Sequence, residues 1–237
     1  MKSPALALLL ALGASVIVLP ATSDSITSGD GRLATDADIT TAIDNSSSVT
    51  RLKRLLEYTG LAKAVRDPRF LAHVARGSNG RIGFMAFSWS ANGKTDVIVP
   101  WMIISSLDEA NVASEMFDNA ATVDQSIGSE VRMTDVALAI RSAAAIEQAS
   151  PFVANHTFIN ICSDGLSNAG ASPRATRDRA LAKGSTISAV LIFDRPTLSD
   201  YYSRNVIGGP GAFILPIVDS AAMSKLLTRK FWLDLAS

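Results

Sequence analysis

The chain has 237 residues, enough for one large domain or two small ones, and no stretch has the composition of a linker between two halves. Its 22 basic and 22 acidic residues balance, which excludes the strongly basic surface of a nucleic-acid-binding domain. Cys162 is the only cysteine, so an internal disulfide and a cysteine-ligated zinc site are excluded as well. We expect a single domain with a sizeable apolar core.

The N-terminus has the features of an export signal. Residues 5–19 are almost wholly apolar or small, and Ala21 and Ser23 suit cleavage by signal peptidase. A membrane anchor is the alternative, but the apolar run is shorter than the roughly 20 residues of a spanning helix and lacks a strong basic flank. We therefore expect a signal peptide over residues 1–23 and an exported protein, periplasmic or secreted, with no membrane span after cleavage. Residues 24–38, rich in Ser, Thr, Gly and Asp, predict a flexible lead-in.

From residue 39 onward, strands and helices alternate. The predicted strands are residues 39–44, 81–89, 95–101, 156–162, 186–193 and 212–216, and the second and third of these form an antiparallel hairpin. The first predicted helix has the inward stripe Leu52, Leu55, Leu56, Thr59 and Ala62. Further helices are predicted around residues 70–75, over 107–120, from Thr134, after Pro173, over 199–204 and over 220–235.

This alternation predicts the fold class. Strands separated by helices form a mostly parallel sheet that is covered on both faces, and the hairpin adds one antiparallel edge strand. The expected architecture is therefore a doubly wound α/β domain over residues 39–237, of the general Rossmann type.

Polar residues follow two strands that we expect at the centre of this sheet. The first strand ends in Asp44, and Ser46 and Ser48 complete the pattern DxSxS. Asp164 follows the strand 156–162, and Thr134 lies at the start of a helix. Right-handed crossovers make the two strands neighbours, so their carboxyl ends share one crevice. All five side chains are oxygen donors, the ligands that Mg²⁺ prefers, and the two carboxylates balance its charge.

Each of these motifs has a plainer interpretation when it stands alone. DxSxS is common as a turn with a helix cap, Thr134 is a typical helix N-cap, and Asp164-Gly165 is a typical turn. Their joint position at adjacent strand ends is what favours a metal site.

The full set resembles the metal-ion-dependent adhesion site (MIDAS) of von Willebrand factor type A (vWA) domains. That site combines a DxSxS motif, a threonine from a middle loop and an aspartate after the fourth strand, which match Asp44, Ser46, Ser48, Thr134 and Asp164 here. The resemblance implies a bound divalent cation, Mg²⁺ or else Mn²⁺ or Ca²⁺. It also implies a protein partner that presents Asp or Glu to this cation.

A narrower resemblance rests on three segments. Val99-Pro100-Trp101, Ser163-Asp164-Gly165 with Asn168, and residues 201–213 are similar to an exported bacterial vWA-like family of unknown function. This likeness implies a fold and a location, but no activity.

Two positions depart from the vWA pattern. Arg132-Met133 precede Thr134 where family members usually have glycine, so Thr122 is the alternative ligand. Asn45 follows the first aspartate where an apolar residue is common.

Three functions remain open from the sequence. The first is a non-enzymatic binding module that captures an acidic group through its cation. The second is a metal-dependent hydrolase, which two aspartates and a cation could support. Only two histidines, His73 and His156, are available, and no general base beyond the ligands stands out. The third is a vWA scaffold with an empty metal site.

Overall fold

The structure is a computed structural model that describes residues 31–91, 93, 95–122, 132–193 and 195–236. The predicted signal peptide, residues 1–23, lies outside the described residues.

Six strands form one sheet whose order is β3-β2-β1-β4-β5-β6. The strands are β1 (Leu33–Asp44), β2 (Ile82–Trp89), β3 (Thr95–Ile104), β4 (Phe152–Ser163), β5 (Ser185–Ile192) and β6 (Ile214–Ile217). The edge strand β3 is antiparallel to β2, and the other neighbours pair in parallel. The predicted mostly parallel sheet with one antiparallel edge strand is confirmed.

Eight helices occur among the described residues and cover the sheet on both faces. They are α1 (Arg51–Val65), α2 (Pro68–Arg76), α3 (Leu107–Thr122), α4 (Val136–Gln148), α5 (Pro173–Leu181), α6 (Pro196–Asn205), α7 (Ser220–Leu227) and α8 (Lys230–Ala236). One apolar core joins the sheet to α1, α2, α3, α7 and α8, and the other joins it to α4, α5 and α6. Because the central strands are buried on both faces, they carry apolar residues at successive positions.

β1 begins earlier than the sequence indicates. Residues 33–38, predicted to belong to a flexible lead-in, form the first half of this strand and pair with β4 from Leu33 onward. Their polar side chains misled the prediction. Asp36 and Asp38 accept hydrogen bonds from side chains and a backbone amide of the folded chain.

Helix α1 has only part of its predicted inward face: Ala62 is buried and Leu56 packs against the core. Leu52 is 63% exposed and Leu55 is 43% exposed, whereas Arg54 and Glu57 are buried. Small residues turn towards the neighbouring helix instead: a Cβ at Gly60 would lie 2.3 Å from Leu227 Cδ1. Close packing through these small residues therefore sets the rotation of the helix, against its hydrophobic pattern.

The last predicted helix, residues 220–235, is two helices, α7 and α8. Between them, the Thr228 hydroxyl donates to the Lys225 carbonyl (2.7 Å), a local bond that competes with continuation of the helix. The break allows α8 to bury Phe231 and the ion pair of Lys230 with Asp234.

Among the described residues, none of the helices combines the length and the apolar character that crossing a bilayer requires.

Candidate metal centre

The predicted site lies where β1 and β4 end side by side. Ile43 of β1 pairs with Cys162 of β4, so Asp44 lies beside Ser163 at the end of its strand. Asp164 follows directly, and its carboxylate reaches the same crevice. The expectation that the two strands are central neighbours is confirmed.

Hydrogen bonds join the DxSxS turn to Asp164. The Ser46 amide donates to Asp44 Oδ1 (2.8 Å), and the hydroxyls of Ser46 and Ser48 lie 3.1 Å apart. The Ser48 hydroxyl then donates to Asp164 Oδ1 (2.6 Å). Four of the five predicted donors thus form one connected set of oxygens.

Asp44 is almost completely buried and has a second partner on β4. The Ser163 hydroxyl donates to its Oδ2 (2.5 Å). Burial raises the pKa of Asp44 to about 6, although hydrogen bonds from Ser163 and Ser46 lower it, and the charge of Asp164 adds to the rise. A cation at this position would favour the ionised carboxylate for the same electrostatic reason.

Thr134 lies against the Asp164 loop, but it is not the helix cap that the sequence indicates. Asp135 caps α4, because its Oδ1 accepts from the Leu138 amide (2.9 Å). Thr134 is buried, its amide donates to Asn168 Oδ1 (2.8 Å), and its hydroxyl lies 3.6 Å from where a Gly165 Cβ would be. Its hydroxyl therefore does not cap α4 and lies beside Gly165, the residue after Asp164.

The alternative ligand, Thr122, makes a different contact. Its hydroxyl donates to the Asn119 carbonyl (2.7 Å) in the last turn of α3. The residues that precede Thr134 instead contact the DxSxS turn through the backbone. The Arg132 carbonyl accepts from the Ser47 amide (2.8 Å), and the Arg132 amide donates to the Ser47 hydroxyl (2.8 Å). Both of these hydrogen bonds use backbone atoms of Arg132, so a residue other than glycine can make them.

Asn45 has a structural role that the sequence does not reveal. Its side-chain oxygen accepts from the buried guanidinium of Arg54 (3.0 Å). Glu57 lies one turn further along α1, also buried. Burial raises the pKa of Glu57 well above its usual value, the charges of Asp44 and Asp164 raise it further, and Arg54 lowers it. A buried polar layer thus underlies the site on the α1 side.

Sequence reasoning also missed Lys53. Its ammonium lies 2.6 Å from Asp164 Oδ2 and 3.3 Å from the Ser48 carbonyl. In the sequence this residue is one of several cations at the start of a helix, and nothing in its spacing distinguishes it.

The donor chemistry fits a hard divalent cation. Within the part of the chain that the structure describes, no group of three or more His, Cys, Asp or Glu residues could hold a metal ion. The donors at this crevice are two carboxylates and three hydroxyls, a set that suits Mg²⁺ or Mn²⁺ with bound water better than it suits a softer metal. Asp44, Ser46, Ser48, Thr134 and Asp164 are the residues that would hold the cation.

The family model described as "Protein of unknown function (DUF1194)" matches residues 34–237. The chain belongs to this family. A comparison with curated proteins found no match.

Solved structures show that this DUF1194 chain has the vWA fold. It is similar to proximal thread matrix protein 1 (PTMP1) from the mussel byssus, with 19% identity, a TM-score of 0.62, and coverage of 86% of this chain and 48% of that one. The chain therefore spans about half the length of the mussel protein. Another structure of PTMP1, with a TM-score of 0.56, has a zinc-occupied MIDAS motif.

Two further neighbours have the same fold. The pilus adhesin SpaC from Lactobacillus rhamnosus GG is 12% identical, with a TM-score of 0.55 and coverage of 85% of this chain and 30% of that one. The manganese-loaded TRAP protein of Plasmodium vivax is 10% identical, with a TM-score of 0.50 and coverage of 84% of this chain and 73% of that one. At these identities the likeness shows the fold alone.

Proposed function

We propose that this domain is an exported binding module that holds a divalent cation, Mg²⁺ or Mn²⁺, and captures an acidic group of a protein partner through it. The observation that carries the proposal is the bond from Ser48 to Asp164, which joins the oxygen donors of two adjacent strand ends into one set. Neighbouring vWA structures with zinc or manganese support a cation in such a site. The pilus adhesin among the neighbours supports protein partners outside the cell, and the signal-like residues 1–23 support export.

The chemistry of the donor set explains why an acidic group would be the ligand. Hydroxyls carry no charge, so the two carboxylates only balance the charge of the divalent cation. Because the site is then not negatively charged, the cation can accept a further carboxylate from outside. The partner's Asp or Glu would then complete the shell. The affinity of the partner for this domain would therefore depend directly on the bound cation.

Binding is better supported than catalysis. His73 and His156, the only histidines of the chain, line a cavity of about 160 Å³ together with Asp36. That cavity lies near the amino ends of β1 and β4, at the edge of the sheet opposite the metal centre. Neither histidine is placed to activate water at Asp44 or Asp164, so we propose a non-enzymatic role.

Titration of residues 24–237 with Mn²⁺ and Mg²⁺ in a calorimeter tests the cation site. Asp44→Asn keeps the size of the side chain and an acceptor for the Ser46 amide, but it removes a charged ligand. We expect saturable binding by the wild-type protein and at least about a hundredfold weaker binding by the variant.

Asp200→Ala is the matched control, because it removes an exposed carboxylate on α6. It should bind like the wild type. Equal binding by the wild type and Asp44→Asn would contradict the proposed site.

Acetate is a probe for the partner's carboxylate. Added to the Mn²⁺-loaded protein, it should displace water from the cation and lower the water-proton relaxation enhancement. Sodium chloride at the same ionic strength should not. An enhancement that acetate leaves unchanged would contradict capture of an acidic group.

A further inference from the structure

The Lys53 side chain reaches into the proposed metal centre and forms an ion pair with Asp164. Its ammonium contacts Asp164 Oδ2 at 2.6 Å, on the oxygen that the Ser48 hydroxyl leaves free. The Asp164 side chain is 2% exposed, whereas that of Lys53 is 26% exposed. The carboxylate is therefore enclosed, while the lysine side chain retains a path to solvent.

The position of Lys53 along α1 is electrostatically unfavourable for a cation. The first turn of a helix carries a partial positive charge and usually attracts acidic residues. Here the first turn has no acidic residue and instead begins with Arg51, followed by Lys53 and Arg54. The ion pair with Asp164 offsets this repulsion for Lys53, so a specific counter-ion, and not the helix, holds the ammonium in place.

Phe193 provides a second contact for the ammonium. Lys53 Nζ lies 5.3 Å from the centroid of the Phe193 ring, within the range of a cation–π interaction. Phe193 has a φ of 53°, the left-handed region that side chains other than glycine rarely adopt. Such strain persists where the surrounding structure requires it, and it is concentrated at functional sites. Here it occurs in the residue directly after β5, beside the lysine.

We propose that Lys53 is an internal competitor for the cation site. Its ammonium and a divalent cation both require Asp164, so the cation binds by exchanging with the ammonium and the lysine side chain moves towards solvent. This inference rests on the proposed function and deepens it. The exchange sets the cation concentration at which the site loads, because every binding event must first break the ion pair.

Lys53→Gln tests the competition, with Arg51→Gln as the matched control. Both changes remove one positive charge from the first turn of α1, and glutamine is a good helix former. Arg51 is exposed, whereas Lys53 contacts Asp164. Mn²⁺ is titrated calorimetrically into residues 24–237 of the wild type and both variants, and each protein is melted with and without Mn²⁺.

We expect Lys53→Gln to bind Mn²⁺ about tenfold more tightly than the wild type, since a charge-assisted ion pair no longer opposes binding. Its melting temperature should rise more on addition of Mn²⁺. Arg51→Gln should change the affinity by less than about twofold, because it removes only a screened charge.

Equal or weaker binding by Lys53→Gln overturns the proposal, and so does an equal gain in both variants, which would mean that charge near the site matters and the contact does not. If the site does not bind a cation at all, the proposed function itself fails, and the titration shows this differently. In that case none of the three proteins, the wild type included, binds Mn²⁺.

Discussion

Aspartates lie at both ends of the central strands, at the amino edge and at the carboxyl edge of the sheet, and two of them, Asp36 and Asp164, are held by different kinds of hydrogen-bond donor. At the amino edge, Asp36 Oδ1 accepts from the Ser78 hydroxyl (2.9 Å), the Asn79 amide (2.9 Å) and the Asn79 side chain (3.2 Å), and Oδ2 accepts from the Arg81 amide (3.3 Å). At the carboxyl edge, Asp164 accepts from a serine hydroxyl and a partly exposed ammonium.

This difference separates structural carboxylates from exchangeable ones. Backbone amides cannot leave Asp36 unless the chain unfolds locally, so its carboxylate stabilises the loop after α2. The donors on Asp164 can rotate or swing towards water without a change in the backbone. The side-chain donors on Asp164 can be exchanged for a cation, whereas loss of the backbone donors on Asp36 would disrupt the local structure.

The largest expected effect is the difference in folding stability between removal of Asp36 and removal of Asp164. Asp36→Ala leaves several donors without an acceptor and should lower the free energy of unfolding by about 2–4 kcal/mol. Asp164→Ala should change it less, by about 1 kcal/mol, because its two donors, the exposed Ser48 and the partly exposed Lys53, can bond to water instead. Urea denaturation of both variants without added cation measures the contrast. Similar losses in the two variants would remove the distinction between the edges.

At the amino edge, Glu147 should make the stability of the fold depend on pH. Glu147 in the last turn of α4 accepts from the Ser185 hydroxyl (2.7 Å), and its other oxygen is enclosed, with no hydrogen-bond partner among the described residues. Burial raises its pKa to about 8, and the nearby charge of Asp38 adds to the rise, although the Ser185 bond lowers it.

A raised pKa stabilises the folded state at low pH. Above the ordinary glutamate pKa the unfolded chain loses this proton while the folded chain keeps it, so stability falls as the pH rises towards 8. From pH 5 to pH 8 the free energy of unfolding of the wild type should fall by about 1–3 kcal/mol more than that of Glu147→Gln, which has no proton to release at this position. Denaturation of both proteins at the two pH values measures this difference. A pH-independent difference would show that Glu147 ionises freely in the fold.

The smallest effect is expected at Phe193. Phe193→Leu removes the ring beside Lys53 but keeps an apolar side chain, so the ammonium should be held less firmly and Mn²⁺ should bind about two- to threefold more tightly. Phe193→Tyr keeps the ring and should bind like the wild type. Calorimetric titration distinguishes the two, and weaker Mn²⁺ binding by Phe193→Leu would contradict a role of the ring in holding Lys53.

The sequence was sufficient to predict that Asp44 and Asp164 meet at the carboxyl edge. Parallel strands end at the same edge of a sheet, so a carboxylate after β1 and another after β4 had to meet once the strand order was known. The DxSxS spacing of Asp44, Ser46 and Ser48 and the position of Asp164 were therefore informative. The ligand roles of these residues stay predictions, as does that of Thr134.

The amino edge was not predictable in the same way. Asp36 and Asp38 lie in a stretch whose composition is typical of a flexible segment, and their partners come from distant parts of the chain, Ser78 and Ser150 among them. Only the pairing of β1 with β2 and β4 brings these donors near. Composition carries no information about such long-range partners.

The side of the site formed by α1 was missed for a related reason. The leucine spacing indicated an inward stripe, but Gly60 allows close contact with α7, and this contact rotates Leu52 and Leu55 outward. The same rotation brings Arg54 and Glu57 into the interior. Because Lys53 reaches Asp164 only in this orientation of the helix, its role depends on tertiary packing that periodicity does not encode.

The most direct test of the metal centre is a crystal structure of residues 24–237 grown with Mn²⁺, with data collected at the manganese absorption edge. We expect one strong anomalous peak in the crevice between the ends of β1 and β4, among the oxygens of Asp44, Ser46, Ser48, Thr134 and Asp164. We also expect that the Lys53 ammonium has left Asp164. A manganese peak elsewhere, or none in this crevice, would contradict the metal centre, and a peak there with Lys53 still on Asp164 would contradict the exchange.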